Sequence, residues 1–382
     1  MAGKRTGQVI RRGDNRWMVR VYLGRDPITG KRSYHNKTIH GTKKDADKYL
    51  NKSLREIDTG NYHEAVKISL SAYLDQWLAN AAKPRLSERT YTDYANLMTR
   101  YVRQPLGAKR LDTVTPLDLQ ELYTEMQNRG LSARVVRYVH AVLNSAFQQA
   151  IKWGMLSRNI CQMVELPKLQ RREMKSFTPR QAQNFLKACG ATKDGMVFAF
   201  ALATGMRPEE YLALKWSDVD FVSGRIVVQR ALVRIGRNWS FEEPKTAQSR
   251  RTIVLPSTTL KDLRAHRQEQ LKHKLKMGSI WEDHNLVFPS MTGTPFHHSN
   301  LTKSYKRILQ TAELSGFRMY DLRHSCATLL LSSGENAKII QERLGHASVV
   351  LTLDTYSHVL PEMQKQASEK LEKMLFENVG TL

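Results

Sequence analysis

The spacing of apolar residues changes period along this chain, and that change restricts it to a multidomain architecture. Near the start, Trp17, Val19 and Val21 alternate with Met18, Arg20 and Tyr22, the period of a half-buried strand. Asp26-Pro27-Ile28-Thr29-Gly30-Lys31 then supplies turn residues, and a second run extends from Ser33 to Ile39. Thr42 and Asp45 open a helix over Lys43–Asp58 that Gly60 ends. Residues 1–62 therefore read as a three-stranded sheet with one helix.

From residue 68 the period becomes helical. Ser69 caps a segment with Leu70, Tyr73, Leu74, Trp77 and Leu78 on one face, and Thr90–Tyr101 forms a second helix. Thr115-Pro116 opens a third as N-cap and first helical residue. Ser132 opens a fourth, with Val135, Val136, Val139, Val142, Leu143, Ala146 and Phe147 at helical spacing. The polar, basic, aperiodic stretch 167–176 reads as a linker between a helical domain, 65–166, and a domain over 177–382. In the latter, helices are interrupted by β-branched runs from Val219 to Leu255, read as a small antiparallel sheet, and resume at Thr259, Ser299, Tyr320 and Ala337. A chain of 382 residues exceeds one ordinary core, and the expected class is mainly α with small antiparallel sheets.

Sixty Lys and Arg against 36 Asp and Glu give a net charge of +24. The excess is +8 over residues 1–64, +6 over 65–170 and +10 over 171–382, so every segment is basic. A chain touching a long polyanion along its whole length explains this distribution, and nucleic acid is the most economical such partner. No apolar run approaches a membrane span, and the N-terminus lacks the apolar segment of an export signal. Cys161, Cys189 and Cys326 are far apart and without metal-ligand spacing, as in a reduced, cytoplasmic protein.

Four separated clusters carry candidate chemistry. In Ala203-Thr204-Gly205-Met206-Arg207-Pro208-Glu209-Glu210, the Thr-Gly pair breaks one helix and sets Arg207 at the start of the next, where helix N–H groups and a guanidinium both favour phosphate. Lys245 sits in Glu243-Pro244-Lys245-Thr246, between two strand-like runs, where a hairpin tip can supply charge or a proton to a cleft. Tyr320, Arg323 and His324 share an i, i+3, i+4 helix face that suits an anion. His346 follows Gly345, and Tyr356 stands ten residues later in a polar, turn-favouring setting. Each has an ordinary explanation by itself: a surface Arg beside a cap, an exposed turn Lys, a half-buried packing Tyr. The four in this order are far less common by chance.

Together, ATGMRPEEYLALKW, EEPKTAQSRRTIVLP, MYDLRHSCATLLL and RLGHASVVLTLDTYSHV resemble the sequence blocks of the tyrosine recombinases, or phage-type integrases. The resemblance spans roughly residues 175–360; residues 65–170 are similar, more loosely, to the family's helical core-DNA-binding domain, and 1–60 to the arm-type DNA-binding sheet of mobile-element integrases. It implies a site-specific DNA recombinase that integrates and excises a mobile element through a covalent 3′-phosphotyrosyl intermediate, using neither cofactor nor metal. By the same resemblance Tyr356 is the nucleophile, Arg207 and Arg323 hold the phosphate, Lys245 protonates the leaving 5′-oxygen, His346 contacts a non-bridging oxygen and Glu210 orients its neighbours. Tyr320 stands where the family usually has His, which leaves the proton acceptor for Tyr356 open. Arg16, Arg20, Lys31 and Arg32 in the N-terminal sheet, and Arg134 and Arg137 on the fourth helix of 68–155, are the candidate DNA contacts outside the site.

The implied partners are double-stranded attachment sites, three further copies of the chain in a DNA-bound homotetramer, DNA-bending accessory proteins and an excisionase, with a nucleoid location. The apolar Leu371, Leu375 and Phe376 make Pro361–Leu382 a candidate contact for the next subunit. Two other readings compete: a chromosome-dimer resolution recombinase, against which the N-terminal sheet argues, and a DNA-binding regulator with a decayed active site, which Tyr320 alone encourages.

Overall fold

The computed structural model describes residues 7–25, 30–58, 67–170, 174–236, 238–243 and 249–350, with isolated positions between 353 and 375. Lys245 and Tyr356 lie outside the described residues, as do most of the Asp26–Lys31 turn, Gly60 and Phe376. The chain divides into two compact units, Met1–Arg171 and Arg172–Leu382. Among the described residues no helix is long and apolar enough to cross a membrane, and the three cysteines are free and buried.

The first unit begins with strands β1 (Gly7–Gly13), β2 (Arg16–Arg25) and β3 (Arg32–His40) in an antiparallel sheet of order β1-β2-β3. Its alternation works as read: Val19 and Val21 are buried on one face with Ala46 and Ile57 of helix α1 (Lys43–Asp58). Thr42 and Asp45 cap α1 reciprocally, each backbone N–H donating to the other's side chain at 2.9 and 3.3 Å. Even-numbered β2 residues take the opposite face. There Arg20 Nε donates to Asn36 Oδ1 at 2.9 Å, its cross-strand partner, and the guanidinium lies over the Tyr34 ring. Arg16, Lys31 and Arg32 are exposed.

Helices α2 (Leu70–Trp77), α3 (Glu88–Leu97), α4 (Arg103–Leu106), α5 (Pro116–Asn128) and α6 (Ala133–Lys152) enclose a separate core around Tyr73, Trp77, Tyr123, Val139 and Phe147. Thr115 and Asp118 form the capping box that opens α5. The expected Thr90–Tyr101 helix instead starts at Glu88 and passes into a π-helical turn, Met98–Val102, before α4. The wider turn leaves Met98 and Val102 fully buried in this core. Arg134 is exposed on α6, whereas the Arg137 guanidinium donates to the Pro167 carbonyl at 3.1 Å.

In the second unit, helix α7 (Pro179–Gly190) is opened by a Thr178–Gln181 capping box. It packs on α8 (Gly195–Thr204), whose sequence GMVFAFALAT is apolar on every side because the helix is the buried centre of this unit. The region read as one sheet is two. Strands β4 (Val219–Asp220), β5 (Arg225–Val228) and β8 (Arg251–Val254) form one, while β6 (Ala231–Ile235) and β7 (Asn238–Glu242) form a separate hairpin. The run IVVQRALVRI breaks at Gln229-Arg230, because both side chains turn inward to Asp218, which is 4% exposed. Helices α9 (Pro208–Tyr211), α10 (Ser257–Met277), α11 (His298–Thr311), α12 (Asp321–Ser332) and α13 (Ala337–Leu344) complete the unit. Leu371 and Leu375 are exposed helical positions near the C-terminus.

Candidate active site

Two helix ends build the site. Helices α8 and α13 both stop at a glycine in the left-handed region, Gly205 and Gly345, each with φ of 67°. A helix ending this way leaves carbonyls without intrahelical partners and presents the negative end of its dipole. Arginines take those carbonyls. Arg323 donates Nη1 to Gly205 O at 2.8 Å and Nη2 to Leu344 O at 2.7 Å. Arg207 Nη2 reaches Gly345 O at 3.3 Å, and Arg343 Nη2 donates to Ala203 O at 2.8 Å. The fork geometry of guanidinium makes this possible, since one Arg323 side chain joins both helix ends.

Arg207 is the N-cap of the four-residue helix α9. The sequence suggests that the helix start receives phosphate, but its anion is already supplied by the protein. Arg207 N–H donates to Glu210 Oε2 at 2.9 Å, and Arg207 Nη1 pairs with Glu210 Oε1 at 2.6 Å. Glu210 is 3% exposed. It also receives both terminal nitrogens of Arg251, Nη1 on Oε1 at 3.1 Å and Nη2 on Oε2 at 2.8 Å. Burial raises the Glu210 carboxyl, but Arg251 and Arg207 outweigh it and hold the group below its ordinary range.

The Tyr320–Arg323–His324 stripe is not one exposed face. Arg323 is 1% exposed, while Tyr320 is 40% exposed and precedes the helix. The reason is that Asp321 turns back to accept from Arg318 N–H at 2.7 Å, so α12 starts one residue late, and Arg323 points at the buried helix ends. Tyr320 packs edge-on against His324, with ring centroids 5.2 Å apart. Burial and the neighbouring Arg207 draw the Arg323 guanidinium down to about 10, which leaves it charged at neutral pH.

His346 is fixed by Gln341, whose carbonyl accepts His346 N–H at 3.1 Å and whose Nε2 donates to His346 O at 2.9 Å. The imidazole is buried, and burial together with Arg323 and Arg207 lowers it to about 4. It is therefore neutral near pH 7 and carries one N–H to donate without repelling the arginines.

The structure thus gathers Arg207, Glu210, Arg323 and His346 around one corner, with Tyr320 at its exposed rim. Arg251 belongs to the same network and was not singled out by the sequence. Its parity was the available signal: β8 alternates, Ile253 is 1% exposed, and Arg251 shares that inward face. Two guanidinium groups on one buried carboxylate, with Arg323 on the adjoining helix-end carbonyls and a neutral imidazole beside them, are suited to binding an anion with several oxygens and stabilising charge that grows on it.

Residues 175–363 match the phage integrase family, and residues 69–127 match the N-terminal SAM-like domain of phage integrases. A tyrosine recombinase XerC-like protein of Caldanaerobacter subterraneus subsp. tengcongensis is 28% identical, covering 96% of this chain and 98% of that protein. The ICEBs1 integrase of Bacillus subtilis is 27% identical over 95% of this chain and 98% of its own length. The fold is similar to that of the Tn1549 transposon integrase solved with transposon right end DNA, with a TM-score of 0.66 and 20% identity over 79% of this chain and 99% of that one. With its ordered motifs, its arginine-lined corner and these matches, this chain belongs to the phage integrase family and is a tyrosine-type site-specific recombinase.

Proposed function

We propose that this chain integrates and excises a mobile element by cutting and rejoining duplex DNA through a 3′-phosphotyrosyl intermediate. The observation that carries the proposal is the pair of arginines, Arg207 and Arg323, set on adjacent carbonyls of one helix end beside neutral His346. Phosphoryl transfer asks for fixed cations around the equatorial oxygens and a donor that keeps its proton. In this reading Arg207 and Arg323 hold two non-bridging oxygens and His346 donates to one of them. Tyr356 attacks phosphorus, breaking the bond to the 5′-oxygen, and Lys245 protonates that oxygen as it leaves. The released 5′-hydroxyl then attacks the phosphotyrosine of another strand, so the phosphodiester energy is kept through a covalent intermediate. Tyr320 is a weaker proton acceptor than the His usual in the family, so in this reading the Tyr356 proton passes to solvent water as its oxygen attacks.

The ICEBs1 and Tn1549 integrases are proteins of mobile elements, which supports the same role here. Residues 1–62 would serve as the arm-type DNA-binding domain through Arg16, Arg20, Lys31 and Arg32, residues 65–166 as the core-binding domain through Arg134 and Arg137, and 177–382 as the catalytic domain. Two duplexes cut on both strands need four tyrosines, hence a homotetramer on DNA, with Pro361–Leu382 contacting the neighbouring copy. Bending proteins and an excisionase would select direction, and the substrate would place the protein on the nucleoid.

The test is covalent trapping. A set of duplexes copied from the DNA flanking the gene, each nicked near the cleavage point, loses its short fragment after cleavage and cannot be rejoined. The full chain is expected to form a protein–DNA adduct that resists denaturant, and Tyr356→Phe is expected to form none. Adducts that persist in Tyr356→Phe remove the nucleophile assignment.

A further inference from the structure

Arg251 has no role in the scheme above, yet it is among the most constrained side chains of the site. It is 6% exposed on its side chain, reaches both oxygens of Glu210, and donates Nε to the Arg343 carbonyl at 2.6 Å. The geometry points to Arg251 as a positioning residue that occupies Glu210 so that Arg207 stays available to the scissile phosphate. This rests on the reading of Arg207 as a phosphate clamp.

Arginine and carboxylate have a preferred way to meet. Left to themselves they pair as two forks, each guanidinium nitrogen on its own oxygen. Arg207 and Glu210 do not. Arg207 gives Glu210 only one side-chain nitrogen, Nη1, and its Nη2 makes just a long 3.3 Å contact to Gly345 O. The four acceptor positions of Glu210 are filled instead by Arg207 N–H, Arg207 Nη1 and the two Arg251 nitrogens. Remove Arg251, and a buried carboxylate loses one of its two cations and half of its donors. Such a group draws the nearest available donor strongly, and that donor is Arg207 Nη2. Arg207 would then close into the fork and turn away from the phosphate.

Arg251 also holds the other side of the corner. The Arg343 carbonyl it binds immediately precedes Leu344 and Gly345, whose carbonyls seat Arg323 and Arg207. One side chain at the start of β8 thereby sets the orientation of both clamps. By sequence, β8 begins six residues after Lys245, the residue read above as the general acid.

The experiment is single-turnover formation of the covalent complex on the nicked duplex, by the full chain, with DNA affinity measured in parallel by fluorescence anisotropy. The variants are R251M, R251K, E210Q and the double variant E210Q/R251M. Loss of one clamp from the transition state predicts R251M to be slower by ~10²–10³-fold, with affinity nearly unchanged because many other phosphate contacts carry it. R251K keeps the charge but loses the fork, and should fall between R251M and the native chain at an unchanged melting temperature. The decisive comparison is the double variant. Gln at 210 cannot attract Arg207 as a carboxylate does, so E210Q/R251M should cleave faster than R251M. A double variant no faster than R251M, rate and affinity falling together, or R251K cleaving at the native rate, each overturns the inference. If R251M lacks a cooperative melt, R251K decides. A native chain that traps no DNA points instead to failure of the underlying assignment of the active site.

Discussion

At the scale of single residues, His346 shows how environment converts a common side chain into a specific tool. Sequence placed it after a helix-ending glycine, and its neighbours explain why it stays neutral: burial and two guanidinium groups oppose its proton. The folded chain therefore resists protonation at His346 until about pH 4, whereas the unfolded chain takes up that proton near its ordinary value of 6.5. As pH falls from 6.5 towards 4, the unfolded state gains a proton that the folded state does not, so the stability tied to His346 is lost across that window and is whole above it. His346→Gln should lose less stability than the native chain between pH 7 and pH 4.5. The check is the urea midpoint of each protein at both values; parallel declines would show that His346 is not held neutral. Arg207, Glu210, Arg323 and His346 were all legible from ordered motifs. Arg251 was not, because an arginine next to another arginine on a basic chain looks like surface charge until the inward parity of its strand is taken into account. Nor does linear spacing say that Glu210 folds back onto the Arg207 backbone N–H at the same helix start.

Among elements, those with chemical punctuation were readable. Thr115-Pro116 and Thr42 with Asp45 marked helix starts, and the structure shows reciprocal caps at both. Elements defined by tertiary partners were not. The split of IVVQRALVRI into two strands depends on Asp218 drawing in Gln229 and Arg230, and the π turn at Met98–Val102 depends on a core that spacing alone cannot supply. The α8 terminus is the element on which the site turns. Gly205 has φ of 67°, and a Cβ added there would lie 2.6 Å from Leu344 Cδ2 and 3.2 Å from Cys326 Sγ, both on buried side chains. Gly205→Ala should therefore cost at least ~1–2 kcal/mol from the left-handed backbone, with the contact to Leu344 adding to it. Cleavage should fall as well, since the Gly205 carbonyl orients Arg323. Urea unfolding and adduct formation measure the two effects; a variant equal to the native chain in both would show that this helix end is not what sets Arg323.

For the whole molecule, the even spread of positive charge was visible from composition, while the geometry of docking was not, because charge counts do not say which side chains are free. Arg134 and Arg137 make the point. Both lie near the start of α6 and both look equally suited to DNA, but Arg134 is exposed and the Arg137 guanidinium is already donating to Pro167 O. A side chain that neutralises a phosphate releases counterions and contributes to the salt dependence of binding, while one that braces the protein contributes through structure. Arg134→Ala should therefore reduce the slope of log affinity against log salt by ~1, uniformly across DNA sequences. Arg137→Ala should change that slope by less while loosening the chain at Pro167. Anisotropy titrations of the full chain between low and physiological salt give both slopes. Equal reductions would mean that DNA pulls Arg137 away from Pro167 on binding, and that the segment leading out of the helical domain moves when the duplex arrives.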